Sequence, residues 1–128
     1  MIRSAPVSPR VTDETVELGV QLLERLEHEE LSLAEAVDRL ETITTSPTTT
    51  RTILDEAERR GVIRREGGII RPRGGRFLRF ESEVITKEGE FTCKRCGASV
   101  TTGYFMRLDA GEHGPFGSSC IRKVTGRE

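Results

Sequence analysis

Four things are scarce in this sequence, and each scarcity closes off a class of protein. Cysteine occurs three times in 128 residues; an odd count with no sign of secretion leaves no complete disulfide framework. No apolar run approaches the roughly 20 residues of a membrane span, and the start Met1-Ile-Arg-Ser-Ala-Pro6 lacks the hydrophobic stretch of a secretory signal. The expectation is a soluble, cytoplasmic protein whose thiols stay reduced and available to a metal. Apolar residues are few, 34% against 32% charged, so no single large core is available, and small domains of this kind often need a metal. There is also no nucleophile–base pair, phosphate loop or carboxylate cluster, and the chain is not expected to be an enzyme.

The cysteines that are present lie in the second half. Cys93 and Cys96 stand in Phe91-Thr-Cys-Lys-Arg-Cys-Gly97, and Cys120 closes Gly114-Pro-Phe-Gly-Ser-Ser-Cys120. The C-x-x-C-G spacing lets two thiolates point at one ion while the glycine permits the tight turn beneath it. Cys120 follows a Gly/Pro/Ser turn and opens Ile121-Arg-Lys-Val124, the first turn of a short helix. Knuckle, hairpin and helix in that order resemble a treble-clef zinc finger over residues 91–124. A tetrahedral structural Zn2+ site needs a fourth ligand. His113 is the leading candidate, with Asp109 and Glu112 as substitutes. The competing readings are a redox C-x-x-C and three unrelated buried cysteines. A redox pair sits where a strand meets a long helix, whereas Gly97 and an alternating run follow here.

Charge is divided unevenly along the chain. Residues 1–58 carry a net −8 and residues 59–128 a net +7, which sum to the overall −1. Eight arginines and a single acid, Glu66, lie between Arg59 and Arg79. Crowding of one sign beside one predicted element suggests a phosphate-facing surface. A solvated face, or pairing with the acidic first helix, would account for the same residues.

In chain order, residues 1–11 read as a flexible arm. Thr12 or Asp13 caps a helix running to about Glu29, with Val16, Val20, Leu23 and Leu26 on its apolar face and His28 on its surface. Ser32-Leu-Ala-Glu35 is a capping box opening a helix to about Thr44. Ser46-Pro47 starts a third, with Ile53, Leu54 and Ala57 inward and Gly61 as its stop. Val62–Glu66, Gly67-Gly68 and Ile69–Arg73 read as a hairpin whose second strand, holding Pro72, lies on an edge. Short strands are expected at Phe77–Phe80, Val84–Thr86 and Glu90–Phe91, and a long strand or hairpin across residues 100–109. The six aromatics of the second half read as the small core of a zinc module, with a base-stacking platform as the alternative.

Residues 46–65 resemble the recognition helix and first wing strand of MarR-type winged-helix regulators. The resemblance, which covers residues 13–73, implies that Thr48, Thr49, Arg51 and Thr52 face bases or phosphates, and that Arg64, Arg65, Arg71 and Arg73 flank the wing. Taken whole, the chain resembles an uncharacterised family of small haloarchaeal proteins through Leu22–His28, Leu31–Val37, Thr86–Cys93 and Gly114–Val124. The expected architecture is α+β: an arm (1–11), a three-helix winged-helix domain (12–75) and a small β-rich treble-clef-like zinc module (76–128). The expected function is a DNA-binding transcriptional regulator or transcription-associated factor. The alternative is a non-catalytic adaptor that binds protein or structured RNA on the transcription or translation machinery. No membrane or small-molecule substrate is expected.

Overall fold

Local signals decide the first half almost element by element. A computed structural model describes residues 7–127, and its first helix, α1, runs Val7–Glu24. Of the expected arm, residues 1–6 lie outside the described residues, and from Val7 onward the chain is already helical. Pro9 does not prevent this, because N–H groups of a first helical turn have no partner within the helix. The helix closes five residues before Glu29. Arg25 and Leu26 donate their N–H groups to Leu22 (3.1 Å) and Leu23 (3.3 Å), a tightened last turn. Glu27 N–H then leaves for the Thr125 carbonyl at 2.8 Å. His28 is accordingly not on a helix surface. It is half-buried, its Nε2 lies 3.3 Å from Arg39 Nη2, and its ring packs against Gly126.

A two-residue strand β1 (Leu31–Ser32) leads into α2 (Leu33–Leu40). The capping box is formed: Ser32 N–H donates to Glu35 Oε1 (2.8 Å), and Glu35 N–H donates to Ser32 Oγ (3.1 Å). Helix α3 (Pro47–Arg59) starts on the Ser46 cap with proline at its first position and buries Thr50, Ile53, Leu54 and Ala57. The hairpin of β2 (Ile63–Glu66) and β3 (Ile69–Pro72) follows. The sheet order is β1-β3-β2, so β3 is central rather than an edge. Pro72 is tolerated because β1 pairs only with Ile69 and Ile70 and leaves the end of β3 uncovered.

The second half departs further from expectation. Residues 73–79 form a loop, and Phe77–Phe80 is not a strand; Phe80–Glu83 is instead a single turn, α4. Next comes β4 (Val84–Thr92), continuous across the two expected strands but with a register shift between Glu88 and Phe91. β4 pairs antiparallel with β5 (Ser99–Leu108), which pairs with β6 (Gly111–Phe116). Helix α5 (Ser118–Thr125) carries Cys120 in its first turn. The described residues thus form a mixed α+β protein of five helices and two three-stranded antiparallel sheets.

One cluster of buried side chains runs from Val16 of α1 to Val124 of α5. Polar ties accompany it: Arg39 Nη2 donates to the Lys123 carbonyl (2.9 Å), and Ala110 N–H to Gln21 Oε1 (2.7 Å). Phe116 belongs to this core, whereas Phe77 is exposed. Phe91 and Phe105 meet edge to face at 5.8 Å.

Candidate metal centre and nucleic-acid face

The Cys93–Gly97 turn is shaped by its own backbone. Gly97 N–H donates to the Cys93 carbonyl (2.9 Å), Cys93 N–H to Ala98 (2.8 Å), and Lys94 N–H to Pro115 on β6 (2.9 Å). Gly97 adopts a φ of 79°, a left-handed conformation that side-chain-bearing residues avoid. The turn and the start of α5 bring Cys93, Cys96 and Cys120 together, with every sulfur within 4.8 Å of the others. Cys93 and Cys120 are buried and Cys96 is exposed. These three thiols could hold a metal ion.

Their electrostatics fit a cation. Burial pushes the Cys93 thiol up, but the backbone N–H groups of Cys96, Gly117 and Arg95 and the Cys120 thiol outweigh it and bring it down to about 7. The Gly117 N–H lies 3.4 Å from Cys93 Sγ. Cys120 moves the other way: burial and the neighbouring Cys96 and Cys93 push it up against the pull of Arg95, whose Nη1 lies 3.9 Å from its sulfur. Backbone N–H groups aimed at the Cys93 sulfur and a guanidinium beside that of Cys120 favour the thiolate, the form that ligates a metal.

The structure does not bring His113 into this group. It sits on β6, 3% exposed, its Nε2 2.8 Å from Thr42 Oγ1 and its ring edge-on to Phe116 at 5.2 Å. Burial, then the charge of Lys94, lowers its pKa to about 4. Its environment is that of a neutral imidazole satisfied by a hydroxyl. Asp109 and Glu112 also stay outside the group; Asp109 faces Arg76 (3.7 Å), and Glu112 accepts from Lys87 (2.9 Å). Sequence reasoning missed Arg95, the third residue of the knuckle, which bridges Cys120 to Asp38 of α2 (3.5 Å). Nothing in a C-x-x-C pattern marks its middle residues for such a role.

The eight expected nucleic-acid contacts fall into two groups. Thr48, Arg51 and Thr52 are exposed at the start of α3, while Thr49 turns its hydroxyl to Ser46 Oγ (3.2 Å). Thr52 Oγ1 bonds back to the Thr48 carbonyl at 3.0 Å. On the hairpin, Arg64 faces Glu66 (3.5 Å), Arg65 bridges Asp55 (2.6 Å) and Glu58 (2.8 Å), and Arg71 bridges Glu66 (3.0 Å) and Glu30 (3.1 Å). Arg60 joins Glu17 of α1 to Glu56. Among the described residues, Arg51 and Arg73 have no ion pair. The arginine excess is therefore largely compensated in space, by acids brought in from α1, α3 and the β1 approach.

A family model described as a family of unknown function (DUF5830) matches residues 15–128, and the chain belongs to that family. No curated protein and no solved structure matches it. Among the described residues no helix is long and apolar enough to cross a membrane.

Proposed function

We propose, for this member of a family of unknown function, that the chain is a non-enzymatic DNA-binding regulator or transcription-associated factor. In this reading α3 enters the major groove, and zinc on Cys93, Cys96 and Cys120 folds the second half in the manner of a treble clef. The observation that carries it is topological. The element order α1-β1-α2-α3-β2-β3, with sheet order β1-β3-β2, follows that of a winged helix, and the solvent face of α3 opens with Thr48, Arg51 and Thr52. Arg51 and Arg73 meet phosphate without breaking an ion pair. Arg64, Arg65 and Arg71 would exchange exposed carboxylates for phosphates, a small penalty because exposed pairs contribute about 0–1 kcal/mol. Zinc would suit three thiolates, and Cys93, Cys96 and Cys120 would hold it. The same reading puts the protein in the cytoplasm of a haloarchaeal host.

Electrophoretic mobility with random duplex DNA and with structured RNA across a salt series, zinc being quantified on the same sample, tests the proposal. Duplex binding that weakens steeply with salt and falls on Arg51→Ala is expected. Zinc-loaded, folded protein that retards neither polymer overturns it. The adaptor reading draws on a different observation. A cavity of about 350 Å3 between α2 and α3 is lined by Leu33, Val37, Pro47 and Leu54 beside Arg51, and Leu33 is 43% exposed. A partner recovered by pull-down that is lost on Leu33→Asp, with no DNA affinity, would favour it.

A further inference from the structure

We infer that the cavity beside the C-terminal end of α1 binds a nucleoside monophosphate group, with the phosphate on Arg25, Arg76 and Arg79 and the base on Phe77. The starting point is a cost. A guanidinium withdrawn from water needs acceptors for its N–H groups. Arg25 is only 2% exposed, and its Nε has no hydrogen-bond partner. Its one ion pair among the described residues, with Glu24 Oε1 at 3.4 Å, is long, and the same oxygen lies 3.6 Å from Arg76 Nη1. The helix C-terminus offsets part of the charge but supplies no acceptor to Nε.

The cavity that Arg25 lines is about 330 Å3 and is completed by Gly75, Arg76, Phe77, Arg79 and Glu83. That volume lies within the usual range for small-molecule sites. Arg79 has no ion pair among the described residues, and Glu83 is committed to the Arg79 backbone N–H at 2.8 Å. Arg76 is shared between Glu24 (3.6 Å) and Asp109 (3.7 Å), so Arg79 is the guanidinium of this cavity whose side chain is left open to an anion. Arginine forks match the oxygens of a phosphoryl group. The wall is built rather than incidental: Gly74 approaches the end of α1 so closely that a Cβ would lie 2.8 Å from the Glu24 carbonyl oxygen.

Phe77 supplies the second half of the argument. It is 52% exposed, one of two large apolar side chains left in water among the described residues. A solvated ring beside guanidiniums is a stacking platform for a base.

Calorimetric titration of adenosine monophosphate into the full chain at low salt tests this, with inorganic phosphate and adenosine as partial probes. Adenosine monophosphate is expected to bind, phosphate more weakly and adenosine not at all. Arg79→Ala, an exposed change, should weaken adenosine monophosphate binding about tenfold or more, and Phe77→Ala should reduce it to the affinity of phosphate. A 5′-phosphorylated oligonucleotide that binds more tightly than both the mononucleotide and its 5′-hydroxyl counterpart makes a strand end the source of the phosphate; no such gain makes it the free nucleotide. Absence of binding at millimolar mononucleotide, or an Arg79→Ala variant that titrates like wild type, overturns the site. Equal affinity for phosphate and mononucleotide overturns the role of Phe77. Arg51→Ala leaves this titration unchanged, so the site and the α3 reading fail separately.

Discussion

The two halves of this chain reach a folded state by different means. In the first, α1, α2 and α3 bury Val16, Val20, Leu22, Leu23, Ala36, Leu40, Ile53, Leu54 and Ala57 around one another, Leu26 joins them from the turn after α1, and β1–β3 add Leu31, Ile63 and Ile70. Each fully buried side chain of this kind contributes about 1.5–3 kcal/mol relative to its exposed state. In the second half β4, nine residues long, buries none of its side chains. Met106, Leu108, Phe116, Ile121 and Val124 are the apolar core of that half beyond Leu78 and the cysteines. A region with so little to bury gains from another source of cohesion, and on the reading proposed above a metal held by the three gathered thiols supplies it.

If that contrast is right, breaking the cysteine group should have the largest effect. Cys93→Ser, or stripping the metal with a chelator, should remove about 5 kcal/mol or more. Hydrogen exchange should then accelerate through β4, β5 and β6 while α1 and α3 stay protected. A melting curve and exchange pattern like those of wild type would remove the structural-metal claim.

Acid probes the seam where the halves meet. The folded protein keeps His113 neutral down to about pH 4, whereas in the unfolded chain it takes up its proton near 6.5. Between those values the unfolded state binds more protons, so stability falls as pH falls through this window. The loss accumulates at about 1.4 kcal/mol per pH unit, to about 3 kcal/mol. Denaturant titrations at several pH values should show a shallower slope for His113→Asn than for wild type, which separates imidazole protonation from protonation of the thiols.

The packing of the first half is tested at Gly19. A Cβ there would sit 2.6–2.9 Å from three carbon atoms of Ile53. Gly19→Ala should therefore destabilise by about 1–3 kcal/mol through overpacking, although alanine favours a helix by about 1 kcal/mol. A stabilised variant would mean that α1 and α3 are less tightly joined than described. The smallest effect is expected on the hairpin. Arg65→Ala should change stability by no more than about 1 kcal/mol, because its pairs with Asp55 and Glu58 are exposed. On the DNA reading it should also reduce duplex affinity less than Arg51→Ala.

What was legible in advance follows from distance along the chain. Ser32 and Glu35 cap α2, Ser46 and Pro47 open α3, and Cys93 and Cys96 face one another because these pairs lie within one turn. Their chemistry is settled by neighbours three residues away, and a pattern in the sequence suffices to find it. Phe77–Phe80 misled because aromatic and apolar residues in a short run do not reveal whether a sheet partner exists; here they border a loop and a single turn of helix.

The sequence by itself determined the helical caps, the hairpin and the convergence of two of the three thiols, since each rests on local backbone geometry. The tertiary structure alone decided the rest. It placed His113 against Thr42, 71 residues away, instead of at the metal site. It closed most of the arginine excess in ion pairs, and it buried Arg25 beside a cavity. Those outcomes depend on which distant surfaces exclude water together, and burial sets both the partner a polar group needs and the cost of leaving it without one.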